Sequence, residues 1–525
     1  MRRTRAALLA ATILAAGAPT VGHFVDASAA RIPRDCTRVV HGLDLETVTI
    51  PQLAHALRDG RITSVELTRA YLARISAFDH GKALDVNAIR AFTDDAIAQA
   101  QAADKRIAHH DARGLMDGIP VILKDNVGTR DAPTTAGSIA LAGNIPKHEA
   151  TLVSKLRDAG AVILAKTNLS EFANWVDLSM PNGYSSLGGQ VHNPYNGGDP
   201  SGSSSGSGAG EALGYAAAAI GTETSGSILS PSDVESLVGI KPTVGLVSRF
   251  GVIPLAQSFD TAGPMARDVT DAAVMLQTIA GRDPKDSPYD EAPGGPPLHP
   301  DYLAALKKGG LEGARLGYSP NDASGDKVFT RALHDLKQAG ATLVPTDELS
   351  NTSTLGLTEL SEIFNEFKYG INNYLAQQAG PKVKVKTLTD IVVYNQQHPD
   401  KVKYGQSLII GSDATPGIYD EPTAIASRTA TIASAREAID HVLTGNQLDA
   451  YLTPGASYAN IGAAAGYPTV IVPAGFNGTT PMGLGFLGSA WSEPTLLSLA
   501  YDFERVSHRR QPPTEINPSL LPDSC

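Results

Sequence analysis

Two clusters of glycine and hydroxyl residues in the middle of the chain could do nucleophilic chemistry. They are Gly202-Ser203-Ser204-Ser205-Gly206-Ser207-Gly208 and Gly221-Thr222-Glu223-Thr224-Ser225-Gly226-Ser227. A run of this composition by itself is most often a flexible linker. These two lie between core-like segments, and glycine allows backbone N–H groups to turn towards an anion. An acyl-transfer enzyme needs such donors beside its nucleophile, where they bind the developing oxyanion.

The first cluster also fits the nucleophile elbow of α/β-hydrolases, G-x-S-x-G, with Ser204 at its centre. An elbow requires a strand directly before the first glycine, and an acidic residue and a histidine further along the chain. Residues 192–200 predict a turn-rich loop instead of that strand. The elbow is therefore disfavoured, and a secreted esterase that uses Ser204 and a histidine is the alternative hypothesis.

Other classes of function are poorly supported. The net charge of −11 disfavours a nucleic-acid-binding protein, and two cysteines are too few for a disulfide-rich scaffold or a four-thiolate zinc site. The chain has no H-E-x-x-H, C-x-x-C or Walker sequence, and the adjacent His109 and His110 lie on a predicted surface helix. We therefore expect no metal, no cofactor and no nucleic-acid partner.

Two apolar runs, each followed by a lysine, are the elements that would position this chemistry. Ile119-Pro120-Val121-Ile122-Leu123 leads into Lys124, and Ala161-Val162-Ile163-Leu164 ends close to Lys166, with a helical pattern between them at residues 148–159. Strand, helix and strand at this spacing predict a parallel crossover unit. Ligands bind at the carboxyl ends of such strands, where both lysines would lie.

The remaining pattern predicts one continuous α/β core. Thr63-Ser64-Val65-Glu66 is a capping box that opens a helix, and residues 211–219 predict an alanine-rich helix. Residues 469–473 predict a strand and residues 493–506 a terminal helix. Residues 283–440 predict a helix-rich insertion whose aromatic side chains either shape a pocket or only pack in the core: Phe364, Phe367, Tyr369 and Tyr374. Several independent domains are the alternative organisation.

Three spaced blocks resemble the amidase signature family of hydrolases. They are Gly118-Ile119-Pro120-Val121-Ile122-Leu123-Lys124-Asp125-Asn126, the serine cluster at 202–208, and the cluster at 221–227 together with Gly239-Ile240-Lys241-Pro242-Thr243. In order and spacing, these blocks and weaker matches span residues 45 to 510. The resemblance implies a large mixed β-sheet covered by helices, an α/β fold.

The resemblance also implies the roles of individual residues. Ser227 matches the nucleophile, Ser203 the bridging serine that the family holds in a cis peptide, and Lys124 the base. An unperturbed lysine has a pKa near 10.4, so burial must lower it before the amine can accept a proton. Ser204 competes for the bridging role, and Lys166 and Lys241 compete for that of the base. By the same resemblance, four backbone N–H groups form the oxyanion hole: those of Thr224, Ser225, Gly226 and Ser227.

The second cluster departs from the commonest family pattern. Glu223, Ser225 and Leu229 stand where the family most often has aspartate, glycine and arginine. The triple serine and Ser170-Glu171-Phe172-Ala173-Asn174-Trp175 look most like the peptide amidase branch, which removes C-terminal amides from peptides. We therefore expect a cofactor-independent amidase acting on peptide or small amides, without an obligate protein partner. A secreted binding protein on the same scaffold is the non-catalytic alternative.

The N-terminus resembles a secretory signal peptide. Arg2, Arg3 and Arg5 precede an uncharged stretch at residues 6–17, and Ala27-Ser28-Ala29 has the form of a cleavage site. Those 12 uncharged residues are fewer than the roughly 20 that span a bilayer. We predict a signal peptide at 1–29, cleaved before Ala30, and a secreted catalytic domain at 30–525. In an oxidising compartment Cys36 and Cys525 would form a disulfide; two free thiols are the alternative.

Overall fold

The structure is a computed structural model, and it describes residues 37–81, 84–286, 295, 301–346, 349 and 352–520, of which 352–357 are described as backbone only. The predicted signal peptide, its cleavage site, Cys36 and Cys525 lie outside these residues. Within them the chain has 15 strands: β1 Val39–Val40, β2 Leu43–Asp44, β3 Ile89–Phe92, β4 Pro120–Lys124, β5 Val162–Thr167, β6 Tyr184–Ser185, β7 Gly189–Gln190, β8 Ala218–Glu223, β9 Val238–Lys241, β10 Thr261–Ala266, β11 Arg315–Tyr318, β12 Thr342–Pro345, β13 Ala450–Pro454, β14 Thr469–Asn477 and β15 Thr480–Leu487.

Sixteen α-helices are present in the same described residues: α1 Ile50–Arg58, α2 Ser64–Phe78, α3 Ala96–Ala108, α4 Thr151–Asp158, α5 Ser205–Ala212, α6 Leu229–Val234, α7 Val269–Ile279, α8 Pro320–Ala323, α9 Lys327–Gln338, α10 Thr352–Gln377, α11 Leu388–Gln396, α12 Ser407–Asp413, α13 Pro422–Gly445, α14 Ala459–Ala465, α15 Glu493–Ser507 and α16 Pro513–Ile516. The predicted capping box of α2 is confirmed, because Thr63 and Glu66 each accept the backbone N–H of the other. None of these helices is both long and apolar enough to cross a membrane.

Eleven strands form one mixed sheet, in the order β12-β11-β13-β15-β14-β9-β10-β8-β4-β5-β3. The predicted crossover unit is confirmed: β4 and β5 pair in parallel, and α4 connects them. β8 pairs in parallel with the other edge of β4. The carboxyl ends of β4, β5 and β8 therefore meet at the same side of the sheet, as the α/β fold class predicts.

The predicted helix at 211–219 is wrong. α5 begins earlier, at Ser205 in the serine cluster, and Ala218–Glu223 is the central strand β8. Serine and glycine are weak helix formers, but every residue of α5 is buried, so tertiary packing overrides propensity. A Cβ at Gly206 would lie 2.5 Å from the backbone oxygens of Ala88 and Asn168, so only glycine permits this close approach.

The region predicted as a helix-rich insertion contains both sheet and helix. β11 and β12 extend one edge of the main sheet, whereas α10 to α12 lie over loops that follow the other strands. A second hydrophobic cluster, separate from the main core, joins these helices to residues 136–141, 172–176 and 253–259. The boundaries at 283 and 440 stay a prediction.

Candidate active site

Lys124 lies at the carboxyl end of β4 and is fully buried. A hydrogen bond of 2.8 Å joins its Nζ to Ser203 Oγ, and Nζ also donates to the backbone oxygen of Thr222 at 3.1 Å. Burial lowers the pKa of Lys124 to about 7, although the charges of Asp260 and Glu223 act in the opposite direction. Near neutral pH a large fraction of this amine is therefore uncharged and able to accept a proton.

Ser203 follows a cis peptide bond from Gly202, as the family resemblance implies. Its side chain is fully buried, and its backbone oxygen accepts the N–H of Ser170 at 3.1 Å. A Cβ at Gly202 would lie 2.6 Å from Ser170 Oγ, so the turn at Ser170 packs directly against this glycine. The serine cluster is thus held in place by the segment that follows β5.

Ser204 has a different set of contacts. Its hydroxyl donates to the backbone oxygen of Thr222 at 3.0 Å and accepts the Thr222 N–H at 3.2 Å. Ser204 therefore stabilises the end of β8, where the Thr222 backbone oxygen also accepts from Lys124. No strand directly precedes Gly202, although a nucleophile elbow would require one. Two further serines of the cluster also bond to backbone oxygens: Ser205 to Ser201 and Ser207 to Ile220.

Ser227 lies in the loop after β8, and 6% of its surface is exposed. Its backbone oxygen accepts the N–H of Ser204 at 3.2 Å, which connects the two clusters. The Glu223 carboxylate organises the same loop, because it accepts the N–H groups of Gly226 at 2.9 Å, Ile228 at 2.7 Å and Leu229 at 3.0 Å. The glutamate that departs from the family pattern thus fills a structural role.

This arrangement limits the predicted oxyanion hole. The N–H of Gly226 already donates to Glu223 and is not available to a substrate. In the part of the chain that the structure describes, the N–H groups of Thr224, Ser225 and Ser227 have no hydrogen-bond acceptor. Three of the four predicted donors therefore remain for that role.

A cavity of about 470 Å³ is lined by Thr222, whose backbone oxygen accepts from Lys124, although Lys124, Ser203 and Ser227 are not themselves among its lining residues. One wall comes from α10, which confirms that the helical region shapes a pocket. Phe364 and Phe367, by contrast, pack against Trp175 and Phe172, with ring centroids 4.9 and 5.6 Å apart. The lining includes Asn126, Thr222, Thr224, Tyr369, Asn373 and Tyr374.

The two competing lysines are placed away from the serines. Lys166 Nζ donates to the Val127 backbone oxygen, and it donates to Thr134 Oγ1 at 2.9 Å. Lys241 Nζ donates to the Pro242 backbone oxygen at 3.1 Å. Burial lowers the pKa of Lys166 to about 7 and that of Lys241 to about 8. Of these three lysines, Lys124 is the one that contacts Ser203.

The sequence profile of the Amidase family matches residues 66–497. The chain belongs to the amidase family. It is 36% identical to the "Probable amidase" of Arabidopsis thaliana, over 91% of this chain and 93% of the relative. The peptide amidase of Stenotrophomonas maltophilia superimposes with a TM-score of 0.84 at 39% identity, covering 89% of this chain and 98% of that one.

A glutamyl-tRNA(Gln) amidotransferase component from Geobacter metallireducens is 36% identical over 89% of this chain and 98% of its own length. The fold and the relatives together make the present chain a hydrolase that acts on amide carbon–nitrogen bonds. Among the described residues of this amidase, no three histidine, cysteine, aspartate or glutamate side chains come together as metal ligands do.

Sequence reasoning missed a buried acid of this amidase beside the loop that carries Ser225 and Ser227. Glu359 on α10 is 4% exposed, and burial raises its pKa to about 8, while a hydrogen bond from Ser225 acts in the opposite direction. Its sequence signal is the recurrence of acids at 359, 362 and 366, on the helix face that also carries Ile363 and Phe367. Such spacing normally indicates a solvated stripe, so the burial was not predicted.

Proposed function

We propose that this amidase works through an acyl-enzyme formed on Ser227, with Ser203 and Lys124 as the proton relay. Neutral Lys124 takes the proton of Ser203, which takes that of Ser227 as its oxygen attacks the amide carbon. The relay then returns the proton to the leaving nitrogen when the carbon–nitrogen bond breaks. Water, activated by the same relay, hydrolyses the ester and restores the serine.

One contact carries this proposal, the 2.8 Å hydrogen bond between Lys124 Nζ and Ser203 Oγ. A lysine with an ordinary pKa would be charged at neutral pH and could not serve as the base. Burial removes this obstacle, and the N–H groups of Thr224, Ser225 and Ser227, which have no acceptor among the described residues, supply donors for the developing oxyanion. The relay itself needs no metal or cofactor.

For the substrate we propose C-terminal peptide amides or small and aryl amides. The similarity to the peptide amidase of Stenotrophomonas maltophilia supports the first class. The net charge of −11 and the predicted export disfavour a tRNA-dependent role like that of the amidotransferases. No nucleic acid and no obligate protein partner enter this proposal.

Activity measurements test the mechanism and the substrate class together. We expect Ser227→Ala to lower kcat/KM by about 10⁴-fold or more with an unchanged circular dichroism spectrum. A panel of peptide amides, aryl amides, fatty amides and esters should give the highest kcat/KM on peptide or aryl amides. Activity retained by Ser227→Ala would reject the acyl-enzyme on this residue.

We also propose that the chain is exported, cleaved before Ala30 and joined at its ends by a Cys36–Cys525 disulfide. The charged start, short apolar stretch and A-x-A sequence support export. N-terminal sequencing of protein recovered from the medium should begin at Ala30, and reduction should add two hydrogens to the intact mass. Retention of Met1 would contradict the cleavage, and a mass unchanged by reduction would contradict the disulfide.

A further inference from the structure

Asn126 lies two residues beyond Lys124 and is 5% exposed. Its Nδ2 donates to Thr222 Oγ1 at 2.9 Å, and its backbone oxygen accepts the N–H of Ile253 at 2.8 Å. Both contacts fix the residue at the wall of the cavity, which it lines together with Thr222. Asn126 is thus a rigid neighbour of the proposed relay, yet the mechanism gives it no role.

The side-chain oxygen of Asn126 has no hydrogen-bond donor among the described residues, although it is buried. A buried carbonyl without a donor is unfavourable and calls for an explanation. Because Asn126 lines the cavity, a ligand bound there can supply the missing donor. An N–H group on that ligand would satisfy the oxygen.

We propose that Asn126 Oδ1 accepts a hydrogen bond from an N–H group of the substrate and thereby selects amide-bearing substrates. This inference rests on the proposed function, because it places the substrate in the cavity beside Lys124 and Ser203. Oxygen accepts and does not donate here, so the recognised group must be a donor. A fatty acyl ester, which carries no N–H, leaves the oxygen unpaired and binds the transition state less well.

Two positions in a peptide amide could supply this N–H group. One is the leaving amide nitrogen, and the other is the peptide N–H next to the scissile carbonyl. Four substrates separate them: an N-acetyl amino-acid amide, its methyl ester, and the two analogues in which oxygen replaces the acyl-side N–H. One of the four carries both N–H groups, one carries only the leaving-group N–H, one carries only the acyl-side N–H, and one carries neither.

The test compares kcat/KM on these four substrates for the full-length enzyme and for Asn126→Leu. We expect a decrease of about tenfold for substrates that carry the recognised N–H and less than about threefold for those that lack it. A decrease on both amides identifies the leaving nitrogen; a decrease on both N-acetyl compounds identifies the acyl-side N–H. An equal decrease on all four, or no decrease, would overturn the proposal.

A matched control is Asn395 on α11, whose Oδ1 is also buried and unpaired among the described residues. Its Nδ2 donates to Gln406 at 3.0 Å, and it does not line the cavity. Asn395→Leu should therefore affect all four substrates equally. If Asn395→Leu lowered kcat/KM selectively for substrates with one of the N–H groups, as strongly as Asn126→Leu does, our inference would be contradicted.

Two further variants keep the test decisive. If Asn126→Leu does not fold, Asn126→Ala replaces it, and Asn126→Asp, which keeps an oxygen acceptor, should restore at least part of the preference for N–H substrates. Loss of that preference in the aspartate variant would contradict the role of the oxygen. The two proposals fail in different experiments. Activity retained by Ser227→Ala would reject the acyl-enzyme, whereas the role of Asn126 is judged only by how its variants change the relative kcat/KM values of the four substrates.

Discussion

Lys124 and Lys166 lie near the ends of neighbouring parallel strands, one residue apart in register, and differ in what they contact. Lys124 is the last residue of β4 and Lys166 the second-last of β5, each is fully buried, and burial lowers the pKa of each to about 7. Lys124 contacts a serine hydroxyl, whereas Lys166 contacts Thr134 and lies 3.9 Å from Asp125. A lowered pKa by itself therefore does not identify a base in this fold.

The difference arises because Lys166 is opposite Leu123, the residue before Lys124, so the two lysine side chains lie on opposite faces of the sheet. β8 on one side of β4 brings Thr222 and the serine clusters to Lys124, while β5 places Lys166 among residues that follow β4. Asp125, the acidic neighbour of Lys166, is itself paired with Arg90. The same residue type thus serves structure at one strand end and, in our proposal, proton transfer at the next.

The largest effect that tests this comparison is on activity. We expect Lys124→Met to lower kcat/KM by about 10³- to 10⁴-fold, because the relay loses its base. Lys166→Met should change the kcat/KM of the folded enzyme by less than about threefold and instead lower the melting temperature. Steady-state kinetics with thermal unfolding of both variants checks this, and a comparable loss of activity in both would remove the distinction.

The two neighbouring serines should also differ. Ser203→Ala removes the hydroxyl that contacts Lys124, and we expect kcat/KM to fall about 10³-fold. Ser204→Ala removes only the brace on Thr222, so a decrease of about tenfold is expected. The kinetic constants of both variants on one amide substrate decide this; a larger effect of Ser204→Ala would favour the esterase-like alternative.

The pH dependence should follow Lys124. Below a pKa of about 7 its amine is protonated and cannot act as a base, so kcat/KM should fall tenfold per pH unit. At pH 5 the rate would be about 100-fold below its plateau. The Lys166→Met enzyme should keep the same midpoint. A profile that is flat from pH 5 to 8, or a midpoint that moves in Lys166→Met, would contradict the assignment.

The smallest effect is on stability. The pKa of Lys166 is about 7 in the folded protein and near 10.4 in the unfolded chain, so between these values the unfolded state binds the extra proton. As the pH increases, the free energy of unfolding of the unmodified protein should therefore rise relative to Lys166→Met, by about 1 kcal/mol per pH unit. Urea unfolding of both at pH 7.5 and 9 measures this; a falling difference would refute it.

The sequence was sufficient to predict those features whose local pattern and order along the chain agree with the contacts in the folded protein. The β4–α4–β5 unit, the capping box of α2 and the contact between Lys124 and Ser203 belong to this class. The first two follow from periodicity and capping chemistry, and the third follows from the family resemblance. The first two concern partners that are close along the chain, and the third joins two of the recognised blocks.

The contacts that sequence reasoning missed depend on distant parts of the chain. α5 forms from glycine and serine because surrounding strands bury it, which no propensity predicts. The engagement of Gly226 by Glu223, the burial of Glu359 and the unpaired oxygen of Asn126 likewise become visible only when strands and helices meet. Polar residues of this kind have no hydrophobic period from which burial could be inferred.

Active-site labelling with a serine-reactive fluorophosphonate, followed by peptide mass spectrometry, identifies the nucleophile and reports how strongly Lys124 activates it. We expect a label on Ser227, a labelling rate at least about 100-fold lower in Lys124→Met, and an unchanged rate in Lys166→Met. A label on Ser204, or a rate in Lys124→Met equal to that of the unmodified enzyme, would contradict the proposed roles of these residues.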